Sequence, residues 1–178
     1  MDLPINIRLE QPEDYDRIDQ IIFRSMKRQN EVNFVREVRF HKEIYIPELT
    51  YVAEVGDEVL GYLMLNRIQI KNQHDEFFET LIIEPLAICQ KDQKKGIGHV
   101  LLTQGIKKAT EMGFRSILVL GPDSYFENYG FIPSVRHLIK PPFIVMPQDF
   151  MVKELFPGAL KEISGEVVFP KIFADTLV

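Results

Sequence analysis

The stretch from residue 77 to residue 120 carries two strand patterns with a glycine-containing loop and a helical pattern between them. "FFETLIIEPLAI" (77–88) is rich in β-branched and aromatic residues, and "SILVL" (116–120) is a short apolar run of the kind that is buried on both faces of a sheet. A strand, a helix and a second strand in succession require the two strands to lie parallel. The unit therefore predicts an α/β protein with a mixed sheet.

The rest of the chain supplies further elements on both sides of this unit. The patterns predict a strand at 5–10, a helix at 11–26, a weaker helix at about 32–44, a β-hairpin at 51–70, the loop-following helix ending at Gly113, a short helix stopped by Gly130, and several short strands in 131–178. This order contains no repeat and no linker, so we expect a single domain over residues 1–178.

Composition excludes several classes of function. The chain has 178 residues, 46% of them hydrophobic and 26% charged, which is typical of a folded domain, and its net charge of −5 argues against nucleic acid as a partner. Neither a secretory signal nor an apolar run of membrane-spanning length is present, so a cytoplasmic protein without a membrane partner is predicted. A single cysteine and four histidines without ligand spacing predict no metal site, and dimerisation stays open.

The loop itself, within "CQKDQKKGIGHVLL" (89–102), has the composition of an anion site. Its two glycines would let the main chain approach a ligand closely, and the helix that follows would direct free N–H groups and a positive dipole at the same point. Three lysines add positive charge nearby: Lys91, Lys94 and Lys95. A diphosphate would suit this site, although neither the Walker pattern nor the G-x-G-x-x-G dinucleotide pattern is present.

The hexapeptide "QKKGIG" (93–98) after an apolar strand resembles the acetyl-coenzyme A loop of the GNAT superfamily of N-acetyltransferases, and "YFENYGF" (125–131) resembles the short helix that closes the family's cleft. The chain after residue 50 is similar to the YhbS-like branch of predicted bacterial acetyltransferases. The resemblance implies a mostly antiparallel sheet flanked by helices and splayed between its two central parallel strands. It also implies acetyl transfer from acetyl-coenzyme A, as cosubstrate, to a primary amine.

Cofactor-binding residues follow from the same resemblance. Main-chain groups at the end of the strand would bind the pantetheine arm and polarise the thioester carbonyl: Leu86, Ala87 and Ile88. The loop and the first turn of the helix would wrap the diphosphate: Gln93, Lys94, Lys95, Gly96, Ile97, Gly98 and His99.

Catalytic residues are less sharply indicated. Glu84, two residues before the splayed segment, is the candidate general base, with Glu79 as the alternative. The family's proton-donating tyrosine falls at Phe126 in this sequence, so Tyr125 is the nearest replacement. The alternatives are that solvent protonates the thiolate or that the closing helix serves packing alone. Cys89 has no histidine close in sequence, and a covalent role for it is not expected.

Three functions stay open at this point. They are acetyl transfer to a small-molecule or peptide amine, a coenzyme A-binding sensor that has lost catalysis, and a nucleotide-binding module that uses the same loop. The departure at Phe126 favours the sensor. The acceptor amine has no signature in the sequence.

Overall fold

One mixed sheet forms the centre of the molecule. The computed structural model describes residues 4–121 and 123–177, without the side chain of Asp123, so the predicted domain's residues 1–3, 122 and 178 lie outside this description. The strands of the described residues are β1 (Ile5–Leu9), β2 (Tyr45–Val55), β3 (Glu58–Lys71), β4 (Phe77–Ile88), β5 (Ser116–Leu120), β6 (Ile132–Pro133), β7 (Ile139–Lys140), β8 (Phe150–Glu154) and β9 (Gly165–Val168). They are ordered β1-β2-β3-β4-β5-β8-β6, and β9 pairs with both β3 and β7.

Four α-helices of the described residues accompany the sheet. They are α1 (Tyr15–Met26), α2 (Gln29–Val38), α3 (Ile97–Glu111) and α4 (Asp123–Phe126), the last continued by a 3₁₀ turn at Glu127–Tyr129. Helix α1 packs on β3 and β4, and α3 packs on β1, β2 and β3. Each long helix buries an apolar stripe: Ile18, Ile21 and Ile22 in α1, and Leu101, Leu102 and Ala109 in α3.

Two predicted boundaries were wrong. Helix α2 begins at Gln29 and ends at Val38 rather than running from 32 to 44, because its buried positions stop at Val38 and Phe40 is 86% exposed. Strand β2 begins at Tyr45 rather than at 51. Its first part contains Pro47 and a register shift against β3 between Tyr45 and Thr50, an irregularity that hides the strand pattern in the sequence.

A buried polar network joins β1 to the core. The carboxylate of Glu10 accepts hydrogen bonds from Nε and Nη2 of Arg39 at 3.1 and 2.9 Å, from the Tyr45 hydroxyl at 2.7 Å and from the Tyr62 hydroxyl at 3.0 Å. The Arg39 guanidinium also lies 3.7 Å from the centre of the Tyr15 ring. Burial, together with the neighbouring carboxylate, raises the pKa of Tyr62 well above its usual value. The network therefore holds an ion pair in the core with its hydrogen bonds satisfied.

The central parallel pair, β4 and β5, is short. Leu81 pairs with Ile117 and Ile82 with Leu118, while β4 continues for six residues beyond Ile82 without a β5 partner in the described part of the sheet. On its other side β4 stays paired with β3 as far as Ile88, which lies opposite Gly61. The two strands thus part towards their carboxyl ends, as the family resemblance implied, and the neighbours of this pair are antiparallel.

Candidate active site

A cleft of about 640 Å³ lies where β4 and β5 part. One wall comes from β4, the opposite wall from the end of β5 at Val119–Gly121, and the last turn of α1 closes the cleft with Ser25 and Met26. Volumes of 300–1,000 Å³ are usual for sites that bury a small-molecule ligand. The parting of the sheet therefore creates a ligand-sized cavity.

A bulge sets which β4 residues face this cavity. Leu63 of β3 lies opposite Leu86, whereas Leu65 lies opposite Ile83, so β4 contains one extra residue between these pairs. Cleft-lining residues consequently occur consecutively on β4, in the order Ile83, Glu84, Pro85 and Leu86, and again at Ile88. Ala87 is buried and does not line the cleft, and its main chain pairs with Tyr62.

The glycine loop ends at the cleft. Gly96 precedes α3 with φ 87° and ψ 0°, a left-handed conformation that favours glycine. The first main-chain bond into the helix is donated by Val100 to the Gly96 carbonyl at 3.1 Å, and the preceding N–H groups of the first turn have no intrahelical acceptor. Gln93, Lys94, Gly96, Gly98 and His99 all line the cleft. The N-terminus of α3 thus faces the cavity, an arrangement that favours the binding of an anion.

Only one of the three lysines contributes to the cleft wall. Lys94 lines it and has φ 65°. The ammonium of Lys95 lies 2.9 Å from Asp92 Oδ1, and that of Lys91 lies 3.8 Å from Glu58 Oε1. Lys91 and Lys95 thus pair with carboxylates that do not line the cleft, and binding of the diphosphate by Lys95 stays a prediction. Ile97 is buried in the core below the loop.

Tyr125 closes the cleft over the loop. A Cβ atom placed on Gly98 would lie 2.6 Å from the Tyr125 hydroxyl. The Tyr125 and Tyr129 rings pack with their centres 5.5 Å apart, and the Tyr129 hydroxyl lies 3.1 Å from Nδ1 of His99. Burial first, and then the neighbouring hydroxyl of Tyr129, raise the pKa of Tyr125 above its usual value. Tyr125 therefore stays neutral at neutral pH and is available as a hydrogen-bond donor.

Phe126 occupies the position of the family's usual tyrosine and has no polar atom to offer. Its ring is buried, lines the cleft and packs edge-on against Phe131 at 5.5 Å between ring centres. A Cβ atom on Gly121 would lie 3.2 Å from this ring. The side chain therefore serves packing at the point where β5 ends.

Glu84, the candidate base, lines the cleft and has a partner that sequence reasoning missed. The side chain of Glu84 is hydrogen-bonded to that of Glu31 in the first turn of α2, and both are buried. The main-chain carbonyl of Glu84 accepts a hydrogen bond from Nδ2 of Asn66 at 2.7 Å. Burial, followed by the hydrogen bond and charge of Glu31, raises the pKa of Glu84 well above its usual value, against a smaller lowering by Arg28.

The remaining candidates lie elsewhere. Glu79 is 52% exposed at its side chain, pairs with Nε of Arg67 at 2.8 Å and does not line the cleft. Cys89 is buried, with its sulfur 3.4 Å from Nη2 of Arg17, and burial raises the pKa of its thiol. Since the thiolate is the nucleophilic form, this surrounding does not activate Cys89.

The described residues contain neither a metal-binding cluster nor a membrane-spanning helix. Among residues 4–121 and 123–177, the His, Cys, Asp and Glu side chains form no group of three or more that could hold a metal ion. None of the helices in this part of the chain has the length and hydropathy needed to cross a membrane.

A sheet parted at its central parallel pair, beside a glycine loop that opens a helix, defines an acyltransferase fold of the GNAT type. The chain belongs to the Acetyltransferase (GNAT) family, whose sequence profile matches residues 15–131. It is 23% identical to the uncharacterized N-acetyltransferase YhbS of Escherichia coli K12 over 167 residues. The aligned region covers 94% of this chain and 97% of that protein. Another E. coli protein, the uncharacterized N-acetyltransferase YjhQ, is 30% identical over 87 residues, or 49% of this chain and 48% of that protein.

Solved structures share the fold. The crystal structure of E. coli YhbS in complex with CoA superposes with a TM-score of 0.87 at 24% identity, covering 97% of this chain and 93% of that one. A GNAT family acetyltransferase from Brucella melitensis in complex with acetyl-CoA superposes with a TM-score of 0.76 at 22% identity, covering 96% and 98%. These likenesses confirm the predicted fold class.

Proposed function

We propose that this protein transfers an acetyl group from acetyl-coenzyme A to a primary amine by direct attack. The observation that carries the proposal is the parting of β4 from β5 directly beside the N-terminus of α3. This arrangement offers an extended main-chain edge to a pantetheine arm and a positive helix end to a diphosphate within one cleft. Two structural relatives were solved with CoA or acetyl-CoA, which supports the same ligand here.

The donor set of the cleft fits a coenzyme A molecule. The N–H groups of Gly98 and His99, in the first turn of α3, and the ammonium of Lys94 would bind the diphosphate. Main-chain groups of β4 from Leu86 to Ile88 would bind the arm, because β5 does not occupy that side of the strand. The cavity is predominantly lined by apolar side chains near β5, as a pantetheine arm and acetyl group require.

Acetyl transfer forms a bond between the amine nitrogen and the carbonyl carbon and breaks the bond between that carbon and sulfur. A main-chain N–H of the parted β4 segment would stabilise the oxyanion, and one such donor lowers the barrier by roughly 3–4 kcal/mol. Glu84, on the cleft wall, would accept the proton that the amine nitrogen loses. The sulfur leaves as a thiolate, to which the Tyr125 hydroxyl would donate a hydrogen bond, and which gains its proton from solvent.

Tyr125 suits hydrogen-bond donation better than complete proton transfer. A free thiol has a pKa of about 8.5, whereas the pKa of Tyr125 is raised above the ordinary value of about 10. Transfer of the phenolic proton to a thiolate would therefore be uphill. Stabilisation of the leaving sulfur by a neutral phenol requires no such transfer.

A second candidate function is a coenzyme A-binding sensor that does not catalyse transfer. The observation in its favour is Phe126, whose buried ring replaces the hydroxyl that many family members supply. This candidate shares the cleft, the loop and the ligand with the first. It differs in requiring neither Glu84 nor an acceptor amine.

Thermal unfolding with acetyl-coenzyme A, coenzyme A or ATP tests ligand binding, because a ligand that binds only the folded protein raises the melting temperature. Thiol release from acetyl-coenzyme A over a library of small amines and peptides then tests transfer, with Glu84→Gln as the matched variant. We expect both coenzyme A ligands to stabilise the protein, and at least one amine to give turnover that Glu84→Gln lowers at least tenfold. Stabilisation without turnover across the library would favour the sensor, and stabilisation by ATP alone would contradict both.

A further inference from the structure

Glu31 forms a buried carboxyl pair with Glu84 immediately behind the cleft wall. Its side chain is 2% exposed and lies outside the cleft lining, whereas Glu84 reaches the cavity. Glu31 Oε2 and Glu84 Oε1 are both buried, and among the described residues no N–H group or alcohol O–H group donates a hydrogen bond to either. Glu31 raises the pKa of Glu84 by its charge and by accepting a hydrogen bond from the protonated form of Glu84, a bond that two ionised carboxylates cannot form. The pair therefore takes up a proton more readily than a single glutamate does, and Glu84 ionises only as the pH rises through its raised pKa.

The charges around the pair determine which carboxyl keeps its charge. Nη1 of Arg28 lies 3.4 Å from Glu31 Oε1, while the same guanidinium donates to the main-chain carbonyls of Asp175 and Thr176. Arg28 thus places a positive charge beside Glu31, and this charge lowers the pKa of Glu84 less than Glu31 raises it. Burial of a second ionised carboxylate beside the first would be costly, so the proton belongs on Glu84. The other ionisable side chains of the cleft wall are Lys94, His99, Tyr125 and Tyr129.

We propose that Glu31 is a positioning residue for Glu84: its carboxylate accepts a hydrogen bond from the newly protonated Glu84 and so makes Glu84 a strong enough base to deprotonate an amine. This inference rests on the proposed function, in which Glu84 takes the amine's proton. An ordinary glutamate is a weak base at neutral pH, and general-base catalysis becomes more efficient as the pKa of the base approaches the working pH. Glu31 increases the base strength of Glu84 without contacting the substrate.

The proton balance of the cycle is simple. Above its raised pKa Glu84 is ionised; it then accepts one proton from the attacking nitrogen, and the resulting O–H group donates to the Glu31 carboxylate. After the acetylated amine leaves, Glu84 releases this proton to solvent, and the departing thiolate takes one proton from solvent. Glu31 keeps the same charge throughout.

The test compares Glu31→Gln with wild type by two measurements. The first is the pH profile of kcat/KM for the best amine; the second is the titration of the Glu84 carboxyl in the substrate-free protein, followed by ¹³C NMR and assigned by its loss in Glu84→Gln. We expect Glu31→Gln to move both the acidic limb and the Glu84 titration to lower pH by at least one unit. Glu31→Asp, which keeps the charge, should restore part of both shifts.

Asp19→Asn is the matched control, because Asp19 is another largely buried carboxylate, paired with Arg36 at 2.7 Å between α1 and α2. It should leave the pH profile and the Glu84 titration unchanged. An unaltered Glu84 titration in folded Glu31→Gln would overturn the inference even if the enzyme is active. If wild type transfers acetyl to no amine although Glu84 titrates as expected, the proposed function fails and the catalytic role of Glu31 fails with it.

Discussion

The hydroxyl of Tyr125 lies 2.6 Å from the point at which a side chain on Gly98 would begin. The first turn of α3 and the closing turn of the cleft therefore touch where the diphosphate of coenzyme A is proposed to bind. The Tyr125 ring packs against the rings of Phe126 and Tyr129, so it cannot withdraw without losing these contacts. Glycine at 98 leaves room for this contact, whereas the left-handed turn of the loop depends on Gly96.

Gly98→Ala should weaken coenzyme A binding about tenfold or more, because the methyl group displaces the Tyr125 side chain from the cleft wall. Calorimetric titration with coenzyme A measures the loss, and a tenfold change corresponds to about 1.4 kcal/mol. In a Tyr125→Phe background the clash with the hydroxyl is absent, so the same alanine should cost less. Equal losses in both backgrounds would show that residue 98 acts through the ligand alone.

Tyr125→Phe should lower kcat about tenfold while leaving coenzyme A affinity within twofold. The phenol is proposed to stabilise the leaving sulfur, which carries charge only as the reaction proceeds, so the loss belongs to the chemical step. Steady-state kinetics with the best amine separate the two effects. Tyr129→Phe is the companion variant, and it should have the smaller effect since Tyr129 acts through Tyr125.

Stability should depend on pH through Glu84. Burial and Glu31 raise the pKa of Glu84 in the folded protein, so the folded state favours the protonated form. The resulting contribution is fully present below the unfolded pKa, near 4.5, and is lost as pH rises through the folded pKa. Urea unfolding between pH 5 and 9 should show the free energy of unfolding falling with pH in wild type and falling less in Glu84→Gln. Parallel curves would contradict this.

Glu10→Ala should destabilise the fold by about 3–5 kcal/mol, because it leaves the buried guanidinium of Arg39 without its carboxylate. Chemical denaturation measures the change. Glu79→Ala is the matched control: its ion pair with Arg67 lies at the surface, and such pairs contribute roughly 0–1 kcal/mol. Similar losses in the two variants would show that the buried network adds nothing beyond an exposed pair.

Local patterns predicted the elements around the cleft well. β4 and β5 were predicted at the limits that the structure has, since a continuous apolar run bounded by turn residues is a strong signal. The loop was found through its glycines, and the parting of the strands through the family resemblance. Glu84 was singled out because of its distance from the splayed segment.

What the sequence could not reveal depends on contacts between distant positions. Glu31 lies 53 positions before Glu84, on a helix whose start was placed three residues too late, so its carboxylate had no visible reason to face β4. The Glu10 network likewise joins the residue after β1 and the residue after α2 to β2 and β3. Acidic residues beside apolar stripes usually indicate solvent exposure, so nothing in the sequence indicated that Glu31 and Glu10 are buried.

The short pairing of β4 with β5, through two residue pairs, affects how the amino-acid sequence around the cleft can vary. Peptide groups, rather than particular side chains, furnish the surface along which the carrier is proposed to lie, and every amino acid except proline brings the same N–H and C=O. Most substitutions there would alter packing volume without deleting a contact to the carrier. Substitutions can consequently accumulate in this strand while the groove persists. We expect acceptor preference to depend instead on the side chains at the other end of the cleft.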